Sequence, residues 1–242
     1  MDKYYLTEDI FIKDNIFFYE CKATINPIEP RNWHVILKEY GWEKLNKKWI
    51  VKLNKLTDHK SKNSLFGCLD CGEDGDCLFN CISYAIYPQI EVHNIQKNSK
   101  ELRYLLSESI DDELYNDIID IYKISKNSNE FEEDWDPFTI TKSDFKRKVK
   151  EGGDEFWGDF ILLSILKKLL TINLIILYTN TNTGNYYHYP LLQDYNRNFK
   201  TIILSYENDD HFKLIGYYKN QKMNVLFKHD MLPIEILRLI NI

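Results

Sequence analysis

The residues of this 242-residue chain that could do chemistry lie far apart in it. Asp74-Gly75-Asp76-Cys77 opens as a turn and runs into an apolar helix at Cys77. Leu78, Ile82, Ala85 and Ile86 follow at helical spacing, and Pro88 stops the helix. A cysteine at a helix N-terminus meets the positive end of the macrodipole and unpaired N–H groups, which favour the thiolate that attacks carbonyl carbon. Such a nucleophile needs a proton carrier. His211 opens a late strand directly after the polar turn Asn208-Asp209-Asp210. Cysteine and histidine of this kind are distant in sequence and adjacent in the fold. His211 would take the thiol proton and later protonate a leaving amine, while N–H groups of residues 74–77 would hold the oxyanion. Taken singly, each residue has a plainer reading. Cys77 is also a small hydrophobe starting a core helix, and a lone histidine is more often structural.

The elements that must bring these residues together are readable in outline. A short helix is expected over residues 31–40, between Pro30 and Gly41, and a strand over residues 49–53. Trp33, Tyr40, Trp42 and Trp49 read as the apolar face by which this segment docks, ahead of a binding surface. Residues 57–64 are polar and read as a linker. One amphipathic helix is expected over residues 100–122, and a short basic one over residues 143–150 with Ser143 as N-cap. The acids of the long helix, and a second group comprising Glu130, Glu132, Glu133, Asp134 and Asp136, read as solvated surface before a dock for a basic segment. After Trp157-Gly158-Asp159 come an apolar helix over residues 160–170 and a run over 171–177 that is apolar on both faces, as an inner strand is. Strands over 186–189, 201–206 and 212–218 and a helix over 233–240 complete an α+β layout.

Composition narrows the setting. A net charge of -6 does not suit a main role on nucleic acid, and five cysteines, an odd number, do not suit a disulfide framework. The N-terminus is polar, and the longest apolar run is interrupted by Lys167 and Lys168 and is too short for a bilayer. A reducing intracellular setting, the cytoplasm or a host cytoplasm, is the expectation, with no membrane partner.

Asp74-Gly75-Asp76-Cys77-Leu78-Phe79 resembles the nucleophile motif of the ovarian-tumour (OTU) cysteine proteases, commonly Asp-Gly-Asn-Cys-Leu-Phe/Tyr. The stretch from Gly153 through Trp157-Gly158 to Leu177 is similar to that family's Trp-Gly segment, helix and central strand, and His211-Phe212 to its His-aromatic pair. The resemblance spans residues 65–219, in the family's order. It implies a papain-like α+β fold, with helices on a small, mostly antiparallel central sheet. It also implies isopeptidase action on ubiquitin, polyubiquitin or a ubiquitin-like modifier, without metal or cofactor. By position Cys77 is the implied nucleophile and His211 the general base, with Asp74 shaping the nucleophile loop and oxyanion hole. Residues 61–242 then form the protease domain, and residues 1–60 an extension packed on it.

Two departures bear on activity. Asp76 stands where Asn is usual, and a carboxylate beside the nucleophile raises a thiol pKa. Lys213 stands two residues after the histidine, where an Asn or Asp usually steers the imidazole, and an ammonium accepts no hydrogen bond. Asn208, Asp209 or Asp210, or an upstream residue such as Asp70, must then take that part, or the chain is a weakly catalytic ubiquitin-binding module. A zinc-held module using Cys68, Cys71, Cys77 and Cys81 is less favoured, since Cys77 and Cys81 share one helix.

Overall fold

The computed structural model describes residues 3–14, 16–22, 24–57, 64–72, 75–87, 92–131, 133–153, 156–189 and 194–242, with backbone only for 92–97. Asp74 and Glu132, and most of the 57–64 linker, lie outside the described residues. The chain begins with four short strands, β1 (Tyr4–Tyr5), β2 (Ile10–Lys13), β3 (Ile16–Cys21) and β4 (Thr24–Pro27), paired in that order as an antiparallel sheet. Then come α1 (Trp33–Ile36), β5 (Trp42–Lys44), α2 (Lys47–Thr57), β6 (Phe66–Leu69) and α3 (Cys77–Ile86). A helical stretch follows in α4 (Val92–Ser109), α5 (Asp112–Asn127), α6 (Lys142–Glu151) and α7 (Phe160–Leu170). The chain ends with β7 (Ile172–Asn180), β8 (Asn185–Tyr189), β9 (Lys200–Glu207), β10 (His211–Lys219), β11 (Lys222–Asn224), β12 (Leu226–Phe227) and α8 (Ile234–Leu239).

The main sheet runs β5-β6-β10-β9-β7-β8, with β11 and β12 on its margin. Its pairings are antiparallel except β7 with β9. The α+β expectation, with a mostly antiparallel sheet, is met. Alternation of side chains sorts the strands' apolar residues onto two faces. Leu174, Ile176, Ile202, Leu204, Phe212 and Leu214 share a core with Leu78, Phe79 and Ile82 of α3 and Leu162 and Leu166 of α7. On the other face Ile175, Leu177, Ile203 and Ile215 meet Trp49 and Leu53 of α2 and Ile236 of α8. Covered on both sides, β7 is buried over eight of its nine residues, as its two-faced apolar run requires.

Local readings needed correction in four places. Residues 49–53 lie in α2: Trp49 and Leu53, four apart, are buried while Val51 is exposed, so the period is helical and not alternating. The helix expected over 100–122 is two, because Asp111 caps α5 by accepting from the Leu114 N–H at 2.9 Å. Thr141, rather than Ser143, caps α6, taking the Asp144 N–H at 3.2 Å. The 31–40 helix shrinks to a single turn, residues 33–36.

Candidate active site

Cys77 begins α3, and Cys81 lies one turn on, so both thiols face β10. They clasp a single residue of it. The Phe212 N–H donates to Cys77 Sγ at 3.5 Å, and the Cys81 thiol donates to the Phe212 carbonyl at 3.6 Å. Helix and strand are thereby locked in a register that sets Cys77 beside His211. Burial pushes the Cys81 pKa far up, which leaves it a packing thiol.

The His211 imidazole is hydrogen bonded to Cys77 and, through Nε2, lies 3.1 Å from each oxygen of Asp70. With Nε2 held by the carboxylate, Nδ1 is the nitrogen left to face the thiol. The imidazole pKa is pushed up to about 9. Its hydrogen bond to Cys77 is the main cause and partial burial opposes it, with the Cys77 and Asp70 charges and the Asp70 hydrogen bond adding to the rise. The geometry favours the protonated imidazole, set between the Cys77 sulfur and the Asp70 carboxylate.

Asp70 reaches the imidazole through strand register. Leu69 of β6 is opposite Leu214 of β10, so Asp70, one residue on, falls across from Lys213. It therefore projects from the face that carries His211, two positions along. Lys213 turns aside to Glu207, its Nζ 2.8 Å from Oε2, and sits near enough to Asp70 to feel its charge. A carboxylate from the neighbouring strand thus occupies the place that residue 213 leaves open.

The turn before His211 is engaged elsewhere. Asn208 Oδ1 accepts from the Thr181 N–H and hydroxyl at 3.0 and 2.8 Å. Asp209 Oδ2 accepts from Tyr178 Oη at 3.0 Å and Asn180 Nδ2 at 2.9 Å. Both residues have positive φ, 53° and 68°, and serve the turn that aims His211. Asp210 lines an open cleft of about 530 Å³ between that turn and the Trp157-Gly158 segment, with Glu133, Asp134, Asp159, Phe160, Tyr206 and Asp209. Gly158 sets one wall tightly, since a Cβ there would lie 2.8 Å from Leu78 Cδ2. Burial, followed by the charges of Asp159 and Asp134, raises the Glu133 pKa.

Asp76, at the N-cap position of α3, makes no side-chain cap bond. Its carboxylate pairs with Arg103 of α4 at 2.6 Å instead. Sequence reading passed over Arg103. The available signal was its place one turn below Leu106 and Ser107 on the buried stripe of α4, where an arginine demands a counter-ion. Among the described residues, no group of three or more His, Cys, Asp or Glu is placed to hold a metal ion. No described helix is long and apolar enough to cross a membrane.

No curated protein matches the chain. Similar solved structures include an OTU domain in complex with ubiquitin (17% identity, 72% of this chain and 83% of that one, TM-score 0.41). Others are the Hazara virus OTU bound to ubiquitin (11%, 68% and 86%, TM-score 0.41) and an OTU deubiquitinase from Wolbachia pipientis wMel (12%, 72% and 94%, TM-score 0.38). The family model for OTU-like cysteine proteases matches residues 72–212, a span that holds both Cys77 and His211. That match covers more than half of the chain, which therefore belongs to the OTU-like cysteine protease family.

Proposed function

We propose that this protein is a thiol-dependent isopeptidase that removes ubiquitin or a ubiquitin-like modifier from lysine side chains, with Cys77, His211 and Asp70 as its working group. The observation that carries the reading is the chain of contacts from Cys77 through the imidazole of His211 to the Asp70 carboxylate. Each group has a defined task. The Cys77 thiolate attacks the isopeptide carbonyl carbon, and the developing oxyanion is held by backbone N–H groups of the turn before α3. The tetrahedral adduct collapses with cleavage of the C–N bond, and imidazolium His211 gives its proton to the departing lysine amine. Neutral His211 then takes a proton from water as the water attacks the thioester, and Cys77 leaves as thiolate. Asp70 keeps the ring oriented and compensates its positive charge. Asp74, which precedes Gly75 in the nucleophile turn, is assigned to shaping that turn.

One further feature favours a modifier tail as substrate. The cleft beside His211 is open, as it must be for a chain segment threading toward Cys77, and Glu133, Asp134, Asp209 and Asp210 suit a basic segment.

The test is a ubiquitin electrophile probe, run beside probes built on ubiquitin-like modifiers. Labelling at Cys77, lost in Cys77→Ala, is expected. Attachment at Cys71 or Cys21, or no attachment by a folded protein, would sink the reading.

A further inference from the structure

Arg103 is the least expected residue near the nucleophile. Its side chain is 1% exposed, and a guanidinium so buried is costly unless its nitrogens find acceptors. Here each of the three does. Nε lies 2.6 Å from Asp76 Oδ1, and Nη2 lies 2.6 Å from the same oxygen and 3.1 Å from the carbonyls of both Gly75 and Phe156. Nη1 donates to the Val149 carbonyl at 3.2 Å, and the guanidinium carbon stands 4.0 Å from the centre of the Phe79 ring. The Gly153 N–H joins the same Asp76 oxygen at 3.3 Å. Gly152, at φ 64°, leaves the room, since a Cβ there would come within 2.1 Å of Nε.

The partners are a particular set. Gly75 and Asp76 are the two residues before Cys77, and Phe156 leads into the Trp157-Gly158 wall of the cleft. One planar fork therefore ties the nucleophile turn to the loop facing it, which a lysine ammonium cannot do. Asp76 is also the carboxylate nearest to Cys77 in sequence, and unpaired it would oppose thiolate formation. We propose that Arg103 is a positioning residue that neutralises Asp76 and holds the 75–76 turn, so that Cys77 is presented as a reactive thiolate. The inference rests on the reading of Cys77 as nucleophile.

Other charges around Cys77 define the background. His211 faces it from β10, Cys81 lies within electrical reach on its own helix, and Asp76 precedes it in the chain; Asp70 acts on His211, and Cys71 and Cys68 act on Cys81. Lys213 and Glu207 act at one remove through Asp70 and Cys68. Burial lowers the Arg103 pKa, and the charges of Asp76 and then Cys77 oppose that fall, which puts the guanidinium within electrical reach of the sulfur.

The test reads iodoacetamide alkylation of Cys77 against pH, by peptide mass spectrometry on the full chain, and probe labelling in parallel. Asp76→Asn keeps the shape and leaves Arg103 uncompensated, so the acid limb of alkylation should move to lower pH by on the order of one unit. Arg103→Gln should move it up by a similar amount, and the double variant should return it close to the wild-type position. Arg103→Lys keeps the charge but not the fork, so the limb should stay while probe labelling slows at least tenfold. A mere structural ion pair would move none of the limbs. An unmoved limb in Asp76→Asn, or full-speed labelling in Arg103→Lys, overturns the proposal even if Arg103→Gln fails to fold. Alkylation needs no ubiquitin, so a protein that alkylates normally but ignores every modifier probe sinks the isopeptidase reading and leaves this one standing.

Discussion

At the scale of single residues, the sharpest consequence concerns Asp70. Its carboxylate oxygens each lie 3.1 Å from His211 Nε2, where they bear on both the charge and the orientation of the ring. Asp70→Asn should lower kcat/KM for probe or isopeptide cleavage by about a hundred- to ten-thousandfold, the usual cost of losing a triad's orienting group. The pH profile should move as well. In the wild type, activity should fall as pH rises through the imidazole pKa of about 9, where His211 can no longer protonate the leaving amine. Removing Asp70's charge and hydrogen bond lowers that pKa, so the basic limb moves to lower pH. Asn208→Ala and Asp209→Ala should leave the limb in place, since their side chains are committed to residues 178–181. A basic limb that follows Asp209 instead of Asp70 would reverse this assignment. The positions of Cys77 at the start of a helix and His211 at the start of a strand were legible because their signals are local, a turn–helix junction and a turn–strand junction. The choice of Asp70 was not, because it depends on the register of β6 against β10, which residues 68–71 do not encode alone. Arg103 was missed for a related reason: an arginine in a helix reads as surface until its burial is seen.

At the scale of elements, the site depends on how α3 meets its neighbours. Leu78 and Phe79 pack against the Trp157-Gly158 segment at van der Waals limit, with distances of 2.8 Å and 3.2 Å from a Cβ placed on Gly158. Gly158→Ala should therefore push the start of α3 and its Cys77 away from β10. An overpacked contact of this kind costs about 1–3 kcal/mol. The expected result is a lower Tm together with probe labelling reduced at least tenfold, checked by thermal denaturation and labelling rate. Unchanged labelling at lowered stability would show that the Cys77–Phe212–Cys81 clasp alone fixes the nucleophile. The helices that frame the site were readable from periodicity, α3 by its apolar spacing and α7 by an apolar run that Asp159 caps at 2.9 Å through the Leu162 N–H. Shorter or β-branched stretches were not. In α2 Ile50-Val51 has strand propensity, but Trp49 and Leu53 must both reach the sheet, where the Trp49 indole donates to Thr179 Oγ1 at 2.9 Å. Tertiary burial decided the element against local preference.

At the scale of the whole molecule, the first sixty residues do two different jobs. β1–β4 dock at the far end of β10: the Phe17 N–H donates to the Gln221 carbonyl at 3.0 Å, and Tyr218 Oη donates to the Ile28 carbonyl at 2.6 Å. His211 opens the other end of that strand, about 26 Å away at 3.3 Å per residue. β5, by contrast, pairs with β6 so that Trp42 faces Leu69, one residue from Asp70, and α2 covers the sheet face bearing Leu177 and Ile203. We therefore place the functional boundary of the protease body near residue 28, ahead of α1, instead of at residue 60. Removing residues 1–27 should leave Cys77 labelling within a few fold of the full chain while lowering Tm, since Ile28, Trp33 and Tyr218 lose their cover. Removing residues 1–60 uncovers Ile175, Leu177, Ile203 and Ile215 at once, and that chain should be insoluble or unfolded by circular dichroism. The two truncations separate the alternatives cleanly. If the shorter deletion abolishes labelling in a folded protein, β1–β4 contribute to the modifier site. If the longer deletion yields a folded, labelled protein, β5 and α2 are dispensable cover and the boundary belongs at residue 60.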